Sequence, residues 1–495
     1  MSKKNAVATL SSSVYALSQL HMPGNSCEQI LKGGRDIFPL LSKGFGKIKK
    51  IGCIGWGSQG PAQFCNLRDS LEAIDIKVTV GLRVGSSSWK KAEAEGFSEV
   101  DGTLGEMFDV IRESDLVILL ISDAAQTELY SDIMENMKPG ATLGLSHGFL
   151  LGYMQSIGKK WRENINVIAV CPKGMGPSVR QLYLQGKTVN GAGINSSIAI
   201  EQDIDGTATD TALSWAIAIG SPYIFVTTME SEYKSDIFGE RSILLGGVWA
   251  VCEALYQRYV SNGVNPYEAY VASVENITGP ISRIISKKGI RALYERFEGR
   301  QKNDFQLAYS AAYNSCMPIL QEIYDEVASG NEIRSVIMAV DRLRNKRMST
   351  IDATDIWQIA KDVRIKRNDE PVSIYGFTAG IYAGVMMAQI DLLYKKGHSW
   401  SEIVNESVIE AVDSLNPFMH ARGVSYMVDN CSITARLGTR KWGPLFESAL
   451  NRDAFVAIDH HEVDLTPFMN FLEHPAHLAI AVCAELRPSV DIAVQ

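Results

Sequence analysis

The chain has 495 residues, which is long enough for two or three domains. Hydrophobic residues make up 46% and charged residues 21%, as in a globular protein with a sizeable core. The net charge of −8 argues against nucleic acid or an anionic membrane as the main partner. No apolar run approaches the length of a membrane span. The eight cysteines are scattered without metal-ligand spacing, which predicts free thiols in a reducing compartment.

The first 47 residues come before any clear strand or helix signal. Serine and small residues are frequent in the first 25, and no acid occurs before Glu28, as in an organellar transit segment. That stretch has no arginine, however, which counts against a transit segment. We therefore expect residues 1–47 to form a disordered or loosely packed extension. We expect a cytoplasmic protein, with the plastid stroma as the alternative if this segment belongs to a transit peptide.

A β-branched run at 48–54 leads directly into the glycine fingerprint G-x-G-x-x-G, formed by Gly55, Gly57 and Gly60. The first glycine permits a tight turn, the second lets the backbone approach a pyrophosphate, and the third allows close packing of helix on strand. Pro61 suits the first turn of the following helix, whose N-terminus offers N–H groups to the anion. The pattern predicts a dinucleotide site; a glycine-rich turn without a ligand is the alternative.

The next strand, at 76–83, ends in Arg83. An NAD site places an aspartate or glutamate near this point, because a carboxylate accepts hydrogen bonds from the ribose hydroxyls. An arginine followed by Ser86, Ser87 and Ser88 suits the 2′-phosphate of NADPH instead. An ordinary polar loop is the alternative, and we predict NADPH.

Between residues 48 and 228 apolar strands alternate with helical stretches. This predicts an α/β, Rossmann-like N-terminal domain with a parallel sheet. The predicted strands are Ile51–Ile54, Val78–Leu82, Leu116–Ile121, Thr142–Leu145, Val167–Val170 and Tyr223–Val226. Polar and glycine-rich loops follow three of them, at Ser122–Gln126, Ser146–Gly148 and Pro172–Pro177. Because ligands bind beyond the carboxyl ends of such strands, these loops should converge on the cofactor.

After residue 229 the pattern has helical period, which predicts an all-α C-terminal domain. The longest predicted helices are Ser235–Tyr259 and Ile374–Lys396. Strand-like runs are not found in this half of the sequence.

A weak internal similarity within the helical half indicates an internal duplication. Phe238-Gly239 resembles Tyr375-Gly376, and Asn262-Gly263 resembles Lys396-Gly397, with a short gap needed to align both pairs. We therefore predict two helical units, at 229–372 and 373–495.

Two pairs of acids stand out in the helical half. Asp236 and Glu240, and likewise Glu406 and Glu410, are spaced i, i+4, so each pair projects from one face of a helix. Surface acids at this spacing are common, but these pairs lie among apolar and small neighbours. Four carboxylates without accompanying histidines or cysteines suit Mg²⁺ rather than zinc.

Two further polar residues follow strands at the expected ligand-binding edge. His147 follows the strand at 142–145, and Lys173 follows the strand at 167–170. A lone loop histidine is more often a structural hydrogen-bonding group than a catalytic one, but at the ligand-binding edge of a dinucleotide fold the two interpretations are equally favoured. Lys173 could contact a phosphate or a substrate oxygen.

Several long strings resemble the ketol-acid reductoisomerases in their long, plant-type form, over about residues 33–494. They are IGWGSQGPAQ (54–63), LLISDAAQ (119–126), GLSHGFLLG (144–152), VCPKGMGPSVR (170–180), SDIFGER (235–241), NESVIEAVDSLNPFMHARG (405–423) and KWGP (441–444). The resemblance implies alkyl migration in 2-acetolactate or 2-aceto-2-hydroxybutyrate, followed by NADPH reduction, in branched-chain amino acid synthesis. It also implies two Mg²⁺ ions per site.

The resemblance assigns roles to residues already singled out. Its metal ligands are Asp236, Glu240, Glu406 and Glu410, its catalytic residues are His147, Lys173 and Glu410, and its substrate contact is Ser432. Taken with the fingerprint and the loops, the predicted cofactor-binding residues are Gly55, Trp56, Gly57, Ser58, Gln59, Arg83, Ser86, Ser88, Ser122, Gln126 and Gly176. A homodimer is expected.

Some points differ from the family or stay open. The segment at 84–88 has fewer basic residues than plant-type sequences often have, which weakens the expected preference for NADPH. A metal-free 2-hydroxy-acid dehydrogenase and an NADPH-sensing binding protein are the alternatives. Neither alternative has a use for the four carboxylates.

Overall fold

The computed structural model describes residues 9–343, 348–367, 372–488 and 490, and these fall into two compact units. The first contains the described residues up to Tyr233 together with the short segment from Glu485 onward. The second contains the described residues from Lys234 to Ala484.

The first unit is built on a sheet. Its strands are β1 (Ser18–Met22), β2 (Ser26–Lys32), β3 (Lys50–Ile54), β4 (Lys77–Leu82), β5 (Leu104–Glu106), β6 (Leu116–Leu119), β7 (Thr142–Leu145), β8 (Asn166–Pro172), β9 (Ser196–Gln202) and β10 (Tyr223–Val226). Within the described residues they form one sheet in the order β1-β2-β10-β9-β8-β7-β6-β3-β4-β5. The six strands from β8 to β5 are parallel, whereas β8 and β9 are antiparallel. The prediction of an α/β domain with a largely parallel sheet is confirmed, and all six predicted strands are present.

Helices cover this sheet, and their apolar residues form its core. They are α1 (Leu41–Phe45), α2 (Gly60–Leu71), α3 (Ser87–Ala94), α4 (Met107–Glu113), α5 (Asp123–Asn136), α6 (Phe149–Ser156), α7 (Gly176–Gln185) and α8 (Ala208–Ala218). Short 3₁₀ turns occur at Pro23–Asn25 and Arg35–Leu40. Trp215 on α8 is among the largest fully buried side chains.

The N-terminal segment is not loosely packed where the structure describes it, so that expectation was wrong. β1 pairs with β2, and β2 pairs antiparallel with β10, which extends the sheet at one edge. Tyr15, Leu41 and Phe45 are buried in the same core as the central strands. These two strands were not predicted because β1 and β2 contain many polar residues. A hairpin at the edge of a sheet needs little apolar surface.

The second unit is helical, as predicted. Its helices are α9 (Met229–Arg241, which begins in the first unit), α10 (Gly246–Ser261), α11 (Pro266–Tyr270), α12 (Ser282–Glu295), α13 (Gly299–Ala328), α14 (Asn331–Leu343), α15 (Asp355–Lys366), α16 (Gly376–Lys396), α17 (Trp400–Val404), α18 (Asn416–Arg422), α19 (Val424–Asn430), α20 (Ile433–Ala449), α21 (Phe455–Asp459), α22 (Thr466–Phe471) and α23 (Ala476–Ala484). π-Helical turns occur at Val271–Glu275, Ile277–Ile281, Asn405–Ile409, Ala411–Leu415 and Leu450–Ala454.

The single helix predicted at Ser235–Tyr259 is wrong, since α9 ends at Arg241 and α10 begins at Gly246. A Cβ atom on Gly246 would lie only 2.2 Å from the carbonyl oxygen of Arg241. The chain therefore folds back closely at this glycine, and the helix breaks there.

Helix α16 is long and apolar enough to cross a membrane by length and composition alone, contrary to the expectation that no segment would be. Within the structure, however, 89% of its most apolar window is buried. It packs along α13 as the core helix of the second unit.

An internal repeat organises this unit. The helix α11, two π-helical turns and the start of α12 recur in the same order as α17, two π-helical turns and the start of α18, with every boundary shifted equally along the chain. Asn265 and Ser399, which correspond in this repeat, both cap their helices through the side chain. In the same repeat Gly279 corresponds to Asp413, and Ser286 corresponds to His420. Gly279 contacts the His420 ring, and Ser286 donates a hydrogen bond to Asp413, so each contact joins the two copies in the reciprocal sense. The duplication therefore has approximate two-fold character.

Candidate active site

The glycine fingerprint forms the turn between β3 and α2. Gly55 has φ +106°, and a Cβ atom there would lie 2.6 Å from the carbonyl oxygen of Leu120. Only glycine fits this conformation and this contact. A Cβ on Gly60, the first residue of α2, would lie 2.9 Å from the Gly55 carbonyl oxygen. The exposed backbone of this turn and the N-terminus of α2 can accept a pyrophosphate.

One of the predicted loops, Pro172–Pro177, packs on this turn. The Gln59 side-chain amide donates to the carbonyl oxygen of Gly174 at 2.8 Å. A Cβ on Gly176 would lie 1.9 Å from the carbonyl oxygen of Ser58, so the loop after β8 packs directly on the fingerprint. Trp56, half-buried, contacts the Phe97 ring edge-to-face at 5.6 Å between centroids.

The predicted 2′-phosphate residues lie where β4 ends and α3 begins. Arg83 is exposed at the end of β4, and its carbonyl oxygen accepts from the Ser86 N–H at 3.1 Å. Ser86 directly precedes α3, where a serine hydroxyl usually caps the helix. Here that hydroxyl is buried and has no hydrogen-bond partner. Ser88 lies in the first turn of α3. An unsatisfied hydroxyl beside an exposed arginine fits a bound phosphate.

A second unsatisfied polar atom lies at the start of α5. Ser122 directly precedes this helix, and its carbonyl oxygen accepts from the Gln126 N–H at 2.9 Å. The Gln126 side-chain amide donates to the Ile121 carbonyl at 3.0 Å, but its own buried oxygen has no partner. The residues of this unit thus leave polar atoms for a dinucleotide to satisfy.

Lys173 forms a buried ion pair in the first unit. Its ammonium lies 3.3 Å from Oε1 of Glu232, and both side chains are only 1% exposed. Oε2 of Glu232 accepts from the Gly148 N–H at 2.8 Å. Because a buried charge is costly without a partner, Glu232 stabilises the Lys173 charge and holds the loop after β7.

His147 is half-buried in that loop. Its Nδ1 accepts from the Phe149 N–H at 2.9 Å, so a neutral His147 ring carries its proton on Nε2. Sequence reasoning missed Glu232, although a signal existed. It precedes Asp236 by four residues on α9, just as Asp236 precedes Glu240.

In the second unit, Asp236 and Glu406 each offer a carboxylate oxygen within 4.8 Å of the other. Glu406 is fully buried. It lies in the π-helical turn Asn405–Ile409, and Glu410 follows it, half-buried, between two such turns. π-Helical turns are frequent at functional sites. Two hard oxygen donors so close together fit Mg²⁺.

The other two predicted residues of this unit have different surroundings. Oε2 of Glu240 accepts from the Arg241 guanidinium at 2.8 Å. Ser432 is exposed and caps α20, since its hydroxyl accepts from the Ala435 N–H at 3.0 Å. A pocket formed by all four carboxylates stays a prediction.

The cysteines match the sequence expectation. All eight are free thiols, and six of them are buried. Burial raises the pKa of Cys53 and Cys316, so these thiols stay protonated and serve as small core residues.

Two family models match the chain. The model described as "Acetohydroxy acid isomeroreductase, NADPH-binding domain" matches residues 47–223. The model described as "Ketol-acid reductoisomerase, C-terminal domain" matches residues 229–369.

The chain is also similar to curated proteins. It is 57% identical over 493 residues to a chloroplastic ketol-acid reductoisomerase of Spinacia oleracea, covering 98% of this chain and 83% of that protein. It is 55% identical over 492 residues to the chloroplastic enzyme of Pisum sativum, covering 97% and 84%. A solved NADH-preferring ketol-acid reductoisomerase from an uncultured archean shares the fold, with a TM-score of 0.55 and 23% identity over 71% of this chain and 100% of that one.

Proposed function

Because the chain belongs to the ketol-acid reductoisomerases, a family of NADP-dependent oxidoreductases, we propose that it rearranges and reduces 2-acetolactate and 2-aceto-2-hydroxybutyrate in a Mg²⁺-dependent reaction. The products are the 2,3-dihydroxy acids of valine, isoleucine and leucine synthesis. The observation that carries this proposal is the close approach of the Asp236 and Glu406 carboxylates.

The reaction has two steps. The alkyl group leaves C2 of the substrate with its bonding electrons and joins C3, the C2 hydroxyl loses its proton to become a ketone, and the C3 ketone oxygen gains a proton. Hydride from NADPH and one further proton then reduce the new C2 ketone. Bound Mg²⁺ would polarise the two adjacent substrate oxygens and stabilise their developing negative charge.

The residues of the second unit would hold the metal and the substrate. Asp236, Glu240, Glu406 and Glu410 supply hard oxygen ligands, and Glu410 could also take the proton of the C2 hydroxyl. The Ser432 hydroxyl, exposed at the start of α20, would contact the substrate carboxylate.

The residues of the first unit would bind the cofactor and move protons. The buried Lys173 ammonium, balanced by Glu232, offers a fixed positive charge for a substrate oxygen. His147 is oriented through the N–H of Phe149 and can exchange a proton at its other ring nitrogen. Gly55, Gly57 and Gly60 admit the pyrophosphate to the backbone.

For the cofactor we propose a preference for NADPH over NADH. Arg83 supplies a positive charge that the 2′-phosphate of NADPH would use and the 2′-hydroxyl of NADH would not, and the unsatisfied hydroxyl of Ser86 offers the phosphate a further hydrogen bond. The expected result is a higher kcat/KM with NADPH, and a ratio near one would contradict this assignment.

For the compartment we propose the plastid, and not the cytoplasm as the composition suggested. This rests on the chloroplastic relatives of Spinacia oleracea and Pisum sativum. Imaging of a full-length fluorescent fusion tests it. A homodimer stays our proposal for the assembly, to be checked by light scattering.

The deciding experiment is an assay of the purified protein with 2-acetolactate, NADPH and Mg²⁺. We expect NADPH oxidation together with a dihydroxy acid product, loss of both with EDTA, and recovery with added Mg²⁺. Asp236→Asn should abolish turnover, whereas Asp325→Asn, at an exposed acid of the same unit that pairs with Lys396, should not. Activity that persists in EDTA would contradict the proposal and favour a metal-free dehydrogenase.

A further inference from the structure

A fully buried arginine lies directly after Glu240. The Arg241 side chain is 0% exposed, and its guanidinium donates to three acceptors. Nη1 donates to Oε2 of Glu240 at 2.8 Å, Nε to Oε1 of Glu332 at 3.0 Å, and Nη2 to the carbonyl oxygen of Thr434 at 3.3 Å. Three acceptors in different directions fix the plane of the guanidinium.

The partners of Arg241 are themselves fixed. Glu332 is 1% exposed, and its second oxygen accepts from the Lys441 ammonium at 2.6 Å. Burial raises the pKa of Glu332, but the charges of Arg241 and Lys441 outweigh it and leave that pKa below its ordinary value. Glu332 therefore stays ionised at neutral pH. The chain Glu240–Arg241–Glu332–Lys441 alternates in charge, and its two central side chains are closed to water, whereas Glu240 is 22% and Lys441 38% exposed.

Helix α20 has a glycine, Gly438, at the point where it contacts this arginine. A Cβ on Gly438 would lie 2.6 Å from both Cζ and Nε of Arg241, so glycine leaves the space that the guanidinium fills. Thr434 and Lys441 lie on the same helix, which begins beside Ser432.

Arg241 links Glu240 to the start of α20, because the same guanidinium also donates to the carbonyl oxygen of Thr434. Thr434 lies two residues after Ser432, the predicted substrate contact. Arg241 thus joins a predicted metal ligand to the helix that carries a predicted substrate contact.

The second copy of the duplicated unit provides an independent comparison. In the alignment of the two copies at the start of the repeat, Glu240 and Arg241 correspond to Phe377 and Thr378. The copy without the carboxylate is also without the arginine. This pairing is expected if the arginine serves the carboxylate.

We propose that Arg241 is a positioning residue for metal binding, which holds the Glu240 carboxylate in place and in register with the start of α20. The proposal rests on the proposed function, because it takes Glu240 as a Mg²⁺ ligand. Partners behind a metal ligand typically change metal affinity by about 10–100-fold when they are removed.

The test compares three variants by calorimetric titration of Mg²⁺ into protein without substrate. Arg241→Lys keeps the charge but loses the fork of donors, and Gly438→Ala displaces the guanidinium with a residue that favours helix. Arg258→Lys is the control, since Arg258 binds the Asp459 carboxylate elsewhere in the same unit. We expect the first two to bind Mg²⁺ roughly 10–100-fold more weakly, and the control to match the wild type.

Metal-free thermal melts establish which variants are folded, and if Arg241→Lys does not fold, Gly438→Ala decides. A folded variant with wild-type Mg²⁺ affinity would overturn the role of Arg241, as would an equal loss in the control. Kinetics give a second measure, because a positioning role raises the Mg²⁺ concentration needed for half-maximal rate. If the wild type itself binds no Mg²⁺, the proposed function fails. If the wild type binds Mg²⁺ and the folded Arg241 and Gly438 variants bind it equally tightly, the role of Arg241 fails while the proposed function stands.

Discussion

Glu253 should make the stability of the helical unit depend on pH in a direction that is unusual for a carboxylate. It lies on α10 with 7% of its surface exposed, and its Oε1 accepts from the indole N–H of Trp357 at 2.7 Å and of Trp249 at 3.2 Å. Burial raises its pKa to about 7, with a smaller contribution from the negative charge of Glu447, although the two indoles act in the opposite direction.

The sign and size of the effect follow from proton linkage. The folded state binds the Glu253 proton more tightly than the unfolded state, where the pKa is near the ordinary 4.5. This stabilisation is complete below about pH 4.5 and is lost as the pH rises through about 7. At about 1.4 kcal/mol for each pKa unit, the difference between about 7 and 4.5 makes the full loss about 3.5 kcal/mol. Glu253→Gln keeps an oxygen that can accept from both indoles but does not titrate, so it should remove this loss.

Urea unfolding from about pH 5 to about pH 8 measures the effect. Tryptophan fluorescence is a suitable signal, since Trp249 and Trp357 are the hydrogen-bond donors. We expect Glu253→Gln to become more stable relative to the wild type by about 2.5 kcal/mol across this range, because part of the full loss occurs below about pH 5. Glu322→Gln, at an exposed acid on α13, should keep the wild-type pH dependence. Parallel curves for Glu253→Gln and the wild type would refute the reasoning.

Gly55→Ala should cost roughly 1–3 kcal/mol and weaken NADPH binding, because of the positive φ and the nearby Leu120 carbonyl. A thermal melt and an NADPH titration check this, and wild-type values in both would contradict it. Glu232→Gln should cost about 3–5 kcal/mol in urea unfolding, since Lys173 would keep a buried charge without its counter-ion. Adding Lys173→Met should recover part of that cost. Arg83→Ala should lower kcat/KM with NADPH roughly tenfold or more and leave NADH nearly unaffected, whereas an equal loss with both would argue against a phosphate contact.

Much of the sheet could be predicted from the sequence, because buried parallel strands are runs of apolar residues. The strands at 116–119 and 142–145 are of this kind, and their neighbours in the sheet are close in the chain. Ser18–Met22 and Ser196–Gln202 were missed for the opposite reason. They are more polar, and their identity as strands depends on pairing with partners that the local sequence does not reveal.

The candidate site was predictable where a motif carries its own geometry. The glycine fingerprint sets a turn, and spacing by four residues sets a helix face. The Lys173–Glu232 ion pair was not predictable, since it joins residues far apart in the chain. The π-helical turns around Glu410 were also missed, because a hydrophobic pattern does not distinguish them from α-helix.

The internal repeat of the helical unit frees the protein from a constraint that symmetric dimers obey. Where two identical chains meet across a two-fold axis, every mutation appears at both ends of the interface. When both halves belong to one chain, the two ends can differ in sequence. At one end Ser286 bonds Asp413, and at the corresponding place of the other end Gly279 contacts the His420 ring. One end can therefore keep carboxylates from both halves, such as Asp236 and Glu406, for chemistry, while the other end evolves as their scaffold.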